Sequence, residues 1–113
     1  MTVVIYHNAG CSNSRGALEI IRAQGIVPEI REYLTSPLTK AELAALIERM
    51  ALRPRDIVRE KEAVFAQLGL TDASDDALLD AMAAHPVLMN RPIVVTPKGA
   101  RLCRPPELVK ELL

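Results

Sequence analysis

The 113-residue sequence has no tryptophan and only three other aromatics, two tyrosines and one phenylalanine, too few for a base-stacking platform. It has no excess of either charge. Fourteen Lys and Arg balance fourteen Asp and Glu, which removes the electrostatic reason to expect a nucleic-acid or membrane partner. No apolar run approaches the roughly 18 residues a membrane span needs, and the start lacks a signal-peptide pattern. Two cysteines cannot build a disulfide framework, so the expectation is a cytoplasmic chain with reduced thiols. No His/Cys cluster has metal-ligand spacing, and no metal is expected. Repeats, low-complexity tracts and Gly/Ser linkers are also missing, so residues 1–113 read as a single domain. What is present is ordinary for a folded chain: half the residues are hydrophobic and a quarter are charged, which excludes disorder.

Val3-Val4-Ile5 is a β-branched apolar run suited to a strand buried on both faces. The polar stretch His7 to Asn13 breaks it and leads into a helical pattern at Ala17, Leu18, Ile20 and Ile21, which stops near Gly25. Residues 26–34 hold an edge strand, because Pro28 and the charges at Glu29, Arg31 and Glu32 spoil its alternation. Thr39 to Glu42 matches a capping box ahead of Leu43, Leu46, Ile47 and Met50. Short helical turns are expected between Arg53 and Leu70. Ser74 then caps a helix with Leu78, Leu79 and Met82 on its buried stripe, and His85-Pro86 ends it. Ile93-Val94-Val95 and Arg101-Leu102-Cys103, separated by Pro97-Lys98-Gly99, predict a hairpin. Pro105-Pro106 opens a last helix with Leu108, Val109 and Leu112 on one face. The order is β-α-β, a helical insertion, then β-β-α. That order matches an α/β, thioredoxin-like plan: a mixed four-stranded sheet flanked by helices, with the insertion between the second and third strands. Met50, Met82 and Met89 read as packing residues.

Cys11 sits where the first strand runs into a helix. Unpaired backbone N–H groups and the positive end of the helix dipole then lie beside its sulfur, and both favour thiolate over thiol. Without such help only about 3% of a cysteine is thiolate at pH 7. Polar neighbours on both sides argue against the usual role of a small buried hydrophobe. Cys11-Ser12-Asn13-Ser14 is not C-x-x-C, so no neighbouring thiol can close a disulfide on Cys11. The interval from Cys11 to Arg15 is also shorter than the C-x5-R loop of cysteine phosphatases. One nucleophilic thiol that turns over with an external thiol remains.

Three blocks carry a family resemblance: Tyr6-His7-Asn8-x-x-Cys11-Ser12-x-Ser14-Arg15, Asn90-Arg91-Pro92-Ile93-Val94-Val95-Thr96 and Arg101-Leu102-Cys103-Arg104-Pro105. Together, in order and across nearly the whole chain, they resemble the glutaredoxin-coupled arsenate reductases. Ala9 departs from the family, which usually has proline there, and longer members carry a C-terminal extension. The resemblance implies reduction of arsenate to arsenite at Cys11 through a covalent adduct. Glutathione would be co-substrate and glutaredoxin the partner, with no tightly bound cofactor.

A thiolate attacking an oxyanion brings like charges together, at roughly 4 kcal/mol per pair of unit charges at about 4 Å and an effective dielectric near 20. Fixed cations must offset this, and arginine offers planar, bidentate donors. The resemblance assigns the task to Arg59 (in Arg55-Asp56-Ile57-Val58-Arg59), Arg91 and Arg104. Each could alternatively be a solvated surface cation. It also makes Pro92 a cis-proline beside the cysteine. His7 would tune the thiolate or be a plain loop histidine, and Ser14 and Arg15 would brace the Cys11 loop or cap the helix. Cys103 reads as a buried strand residue and His85 as a helix-end residue. Two other functions fit the same fold: a general glutathione-dependent thiol-disulfide oxidoreductase, and a Spx-like regulator that binds RNA polymerase. The regulators typically carry C-x-x-C, which Ser14 removes here.

Overall fold

The structure is a computed structural model that describes residues 2–113. Its chain folds as two compact units, one of residues 2–36 with 91–113 and one of residues 37–90.

The first unit is built on strands β1 (Val4–Tyr6), β2 (Glu29–Arg31), β3 (Ile93–Thr96) and β4 (Gly99–Leu102), in the order β2-β1-β3-β4. β1 runs parallel to β2, with Ile5 opposite Ile30, and antiparallel to β3, with Ile5 opposite Val94. β3 and β4 form the expected hairpin, pairing Val94 with Arg101. Helix α1 (Ser12–Ala23) makes the crossover from β1 to β2. It ends where Gly25, at φ +75°, takes the left-handed conformation that a side chain would strain, and its N–H donates to the Arg22 carbonyl. Ala17, Leu18 and Ile21 of α1 pack over Val3, Ile5, Val94 and Cys103, together with Val109 and Leu112 from the C-terminal helix. Burying each large aliphatic side chain contributes roughly 1.5–3 kcal/mol, so this cluster anchors the strand-to-helix junction that carries Cys11. Ile93 and Val94, consecutive along β3, are both fully buried, so the strand is covered on both faces as its apolar run predicts. The arrangement is the thioredoxin-like plan.

Three local readings differ from the sequence. The first strand is displaced by one residue to Val4–Tyr6. β2 keeps only three paired residues of the expected 26–34 stretch, because Pro28 has no N–H to donate and Ile30 is part-exposed on the sheet edge. The last helix, Pro106–Leu112, is 3-10 rather than α. Three residues per turn stack Val109 directly over Leu112, and the Thr96 hydroxyl donates 2.8 Å to the Leu112 carbonyl, fixing that end.

The second unit is helical: α2 (Lys40–Arg49), α3 (Pro54–Ile57), α4 (Ala63–Gln67), α5 (Asp75–Ala84) and a 3-10 turn at Pro86–Leu88. Thr39 and Glu42 make the reciprocal capping box, and the Ser74 hydroxyl accepts from the Ala77 N–H. Leu43, Leu46 and Ile47 of α2 and Leu78 and Met82 of α5 are buried. Among the described residues, no helix is long and apolar enough to cross a membrane.

Candidate active site

Cys11 is the N-cap of α1. Its backbone is extended (φ −98°, ψ 124°) and no side chain caps the helix, so the N–H groups of the first turn are left to the cysteine sulfur. The Cys11 N–H donates to the Asn8 carbonyl at 3.0 Å, closing the turn that delivers the thiol to the helix entrance. Gly10 allows this turn, and its N–H donates to Asn8 Oδ1 at 2.9 Å. Sequence reading did not single out Asn8. Its signal was weak: an Asn side chain readily accepts the backbone N–H two residues on, but many loop Asn residues do so without serving a site.

Two guanidinium groups converge on the sulfur. Arg91 hydrogen-bonds it, and Arg104 Nη1 lies 3.7 Å from Sγ. The same Arg104 nitrogen donates to the Arg91 carbonyl at 2.9 Å, which ties the two arginine-bearing segments to one another. Arg91 enters β3 across a cis Arg91–Pro92 peptide, and Arg104 leaves β4 ahead of a second cis bond to Pro105. Burial pushes the Cys11 thiol up. The Ser14 backbone N–H, the Arg91 guanidinium and the Asn13 backbone N–H outweigh it, so the pKa lies below the ordinary cysteine value. Cys103 is the opposite case. It is fully buried one residue beyond β4, and burial pushes it up to about 11, so its thiol stays protonated.

The supporting side chains form a second layer. His7 Nδ1 is 2.6 Å from Ser14 Oγ, both groups buried, and Ser14 Oγ also accepts the Asn8 N–H at 3.0 Å. His7 thus meets Ser14, whose own backbone N–H faces the sulfur, and tightens the loop rather than touching the thiol. Burial lowers its pKa, opposed by Glu32 and reinforced by Arg22 and Arg15, which favours the neutral ring. Arg15 Nη1 donates to the Ala9 carbonyl at 2.8 Å, bracing the position where a proline would have stiffened the loop. Arg59 belongs to the helical unit. Its Nε donates to Glu62 at 3.1 Å, its Nη1 to Asn90 Oδ1 at 3.3 Å, and its backbone is pinned by an N–H to the Leu88 carbonyl.

A cysteine at a helix entrance after the first strand, with two guanidinium groups at its sulfur, defines a thioredoxin-like protein with a cation-flanked thiol. Residues 6–112 match the ArsC family, and the chain belongs to it. It is 53% identical over its whole length to an arsenate reductase of Rhizobium meliloti (strain 1021), covering 82% of that protein. It is 48% identical to an arsenate reductase of Escherichia coli (strain K12), with 98% of this chain and 80% of that one aligned. Among solved structures, an arsenate reductase from Vibrio cholerae superposes with a TM-score of 0.95 at 46% identity, over all of this chain and 98% of the other.

Proposed function

We propose that the protein reduces arsenate to arsenite. The observation that carries this reading is the pair of guanidinium groups, Arg91 and Arg104, at the sulfur of a cysteine whose pKa is lowered. Attack by the Cys11 thiolate on arsenic displaces water and forms a sulfur–arsenic bond. Arg91 and Arg104 offset the repulsion between thiolate and oxyanion and hold the charge that develops on arsenate. The sequence resemblance adds Arg59 to this set, and its part rests on that resemblance alone. Glutathione thiolate then attacks the Cys11 sulfur. A disulfide forms, and the electron pair of the sulfur–arsenic bond stays with arsenic as As(III). Glutaredoxin takes the glutathionyl group and returns Cys11 as a thiol. The family names of the relatives support the substrate, and the missing C-x-x-C partner supports the external thiols.

The test is arsenate-dependent NADPH consumption by purified protein with glutathione, glutaredoxin and glutathione reductase. Cys11→Ser abolishes turnover and Cys103→Ser retains most of it. Arg91→Lys lowers kcat/KM by about tenfold or more, because a point charge cannot reproduce bidentate contacts. Activity retained by Cys11→Ser refutes the mechanism, and NADPH consumption that needs a protein disulfide instead of arsenate refutes the substrate.

A further inference from the structure

Gly16 sits in the second turn of α1, where only proline forms helix less readily. Its backbone is helical, and left-handed φ belongs to Gly25, Gly69 and Gly99 instead, so conformational freedom does not explain it. A close approach does. A Cβ at Gly16 would stand 3.0 Å from Pro106 Cγ and 3.2 Å from Pro106 Cβ, inside the ordinary carbon–carbon contact of about 3.5–4.0 Å. The bare Cα of Gly16 lets the opening of the C-terminal 3-10 helix lie against α1. A flexible side chain would swing aside, but the proline ring is closed onto its own backbone. Beyond this contact Ala17 and Ile21 share the core with Val109 and Leu112, which holds the two helices together.

Both sides of this contact lead to the thiol. Gly16 belongs to the helix that Cys11 caps, and Pro106 follows Arg104 by two residues. We propose that Gly16 and Pro106 are positioning residues, whose contact sets the distance between the Cys11 sulfur and the Arg104 guanidinium. The part of that guanidinium in holding an oxyanion is that of the reading above, on which the proposal rests. Pro105 and Pro106 each have φ fixed near about −65°, and Arg104, preceding a proline, is itself restricted. A shift forced on Pro106 is therefore passed back to Arg104 rather than absorbed between them. Arg104 Nη1 has two acceptors, the Arg91 carbonyl at 2.9 Å and Cys11 Sγ at 3.7 Å. The contact with sulfur is the longer, so it gives first when the base of the side chain moves.

The test compares alkylation of Cys11 by iodoacetate, an anion, with alkylation by neutral iodoacetamide, followed by intact-protein mass spectrometry. In both reactions the thiolate displaces iodide from carbon. The ratio of the two rates therefore cancels the thiolate fraction and reports the positive charge beside the sulfur. Arg104→Gln is expected to lower the ratio about fivefold, the mark of losing this cation outright. Gly16→Ala leaves every charged group in place and favours the helix, yet it is expected to lower the ratio about threefold. Adding Pro106→Ala to Gly16→Ala is expected to restore the ratio to within about 1.5-fold of the starting protein, because the new methyl then meets a methyl instead of a ring. Fully buried Cys103 stays unalkylated wherever the fold is kept. An unchanged ratio in Gly16→Ala, a loss that Pro106→Ala does not reverse, or a ratio indifferent to Arg104→Gln overturns the proposal. A loss accompanied by alkylation of Cys103 assigns the glycine to the fold alone and overturns it too. If the ratios behave as expected and the protein turns over no arsenate, the positioning stands and the proposed substrate falls. Arsenate turnover with an unchanged ratio in Gly16→Ala loses the positioning alone.

Discussion

At the scale of single residues, the site turns on a contest at the Cys11 sulfur. Burial favours the neutral thiol, while the Ser14 and Asn13 N–H groups and the Arg91 guanidinium favour the thiolate, and the donors win. Alkylation by iodoacetamide requires thiolate, so its rate rises with pH and levels off above the lowered pKa. Arg91→Gln removes one donor and one positive charge, and the midpoint of that profile is expected to move to higher pH with slower reaction at pH 7. An unchanged midpoint would remove Arg91 from the control of the thiol. Cys103 gives the internal contrast, since a fully buried thiol with pKa about 11 stays unreacted in the native protein. His7 yields a second pH effect. Burial sets its folded pKa below the ordinary 6.5, so between these two values the unfolded chain binds more protons than the folded one. Its contribution to stability is therefore intact above pH 6.5 and lost as pH falls towards the folded value. His7→Gln is expected to flatten thermal stability across that window, and melting curves from pH 5 to pH 7 check it.

At the scale of elements, what could be read from the sequence was what local chemistry determines. Thr39 with Glu42, Ser74, the apolar runs at Ile5 and Val94 and the Gly25 stop all act within a few residues, and each lies where its chemistry places it. Over the two turns from Pro106 to Leu112, an apolar pattern is compatible with periods of three and of 3.6, so the hydroxyl of distant Thr96 and the packing of Val109 and Leu112 decide. The candidate site divides the same way. Cys11 at a strand-to-helix junction is a local pattern. The bond from Arg104 to the Arg91 carbonyl joins segments thirteen residues apart through the β3–β4 hairpin, and no spacing rule contains it. One helix end departs from its best chemistry. The Ala51 N–H bonds Glu48 O at 2.9 Å and the Leu52 N–H bonds Ile47 O at 3.2 Å, a Schellman motif that puts Ala51 at φ 56°, where a Cβ is strained. Ala51→Gly relieves that strain and is expected to stabilise the protein by about 0.5–1 kcal/mol despite the greater freedom of glycine in the unfolded chain, as denaturant midpoints at constant m will show.

At the scale of the whole molecule, stability is expected to be uneven, because the two units are held by different means. The sheet unit has ladders joining β1 to β2 and β3, and a core in which Ile5, Ile21, Val94 and Val109 are fully buried. The helical unit includes α3 and α4, only four and five residues long. Helices of that length cannot repay their nucleation cost and depend on packing. α4 has one buried side chain, Phe65, and Ala66, Gln67, Leu68 and Gly69 after it are exposed. Native-state hydrogen exchange should therefore rank the chain. Amides of residues 61–69 exchange first, through local opening that leaves the rest intact, and those of β1 and β3 exchange last, at the free energy of global unfolding. The order bears on chemistry: Cys11 and Arg91 adjoin β1 and β3, so the thiol and its principal cation keep their geometry while the helical unit opens locally. Moderate denaturant sharpens the test, since local openings are insensitive to it and global ones are not. If residues 61–69 and the central strands instead exchange with one free energy and one denaturant slope, the chain opens only as a whole, and its two compact units behave as a single cooperative domain.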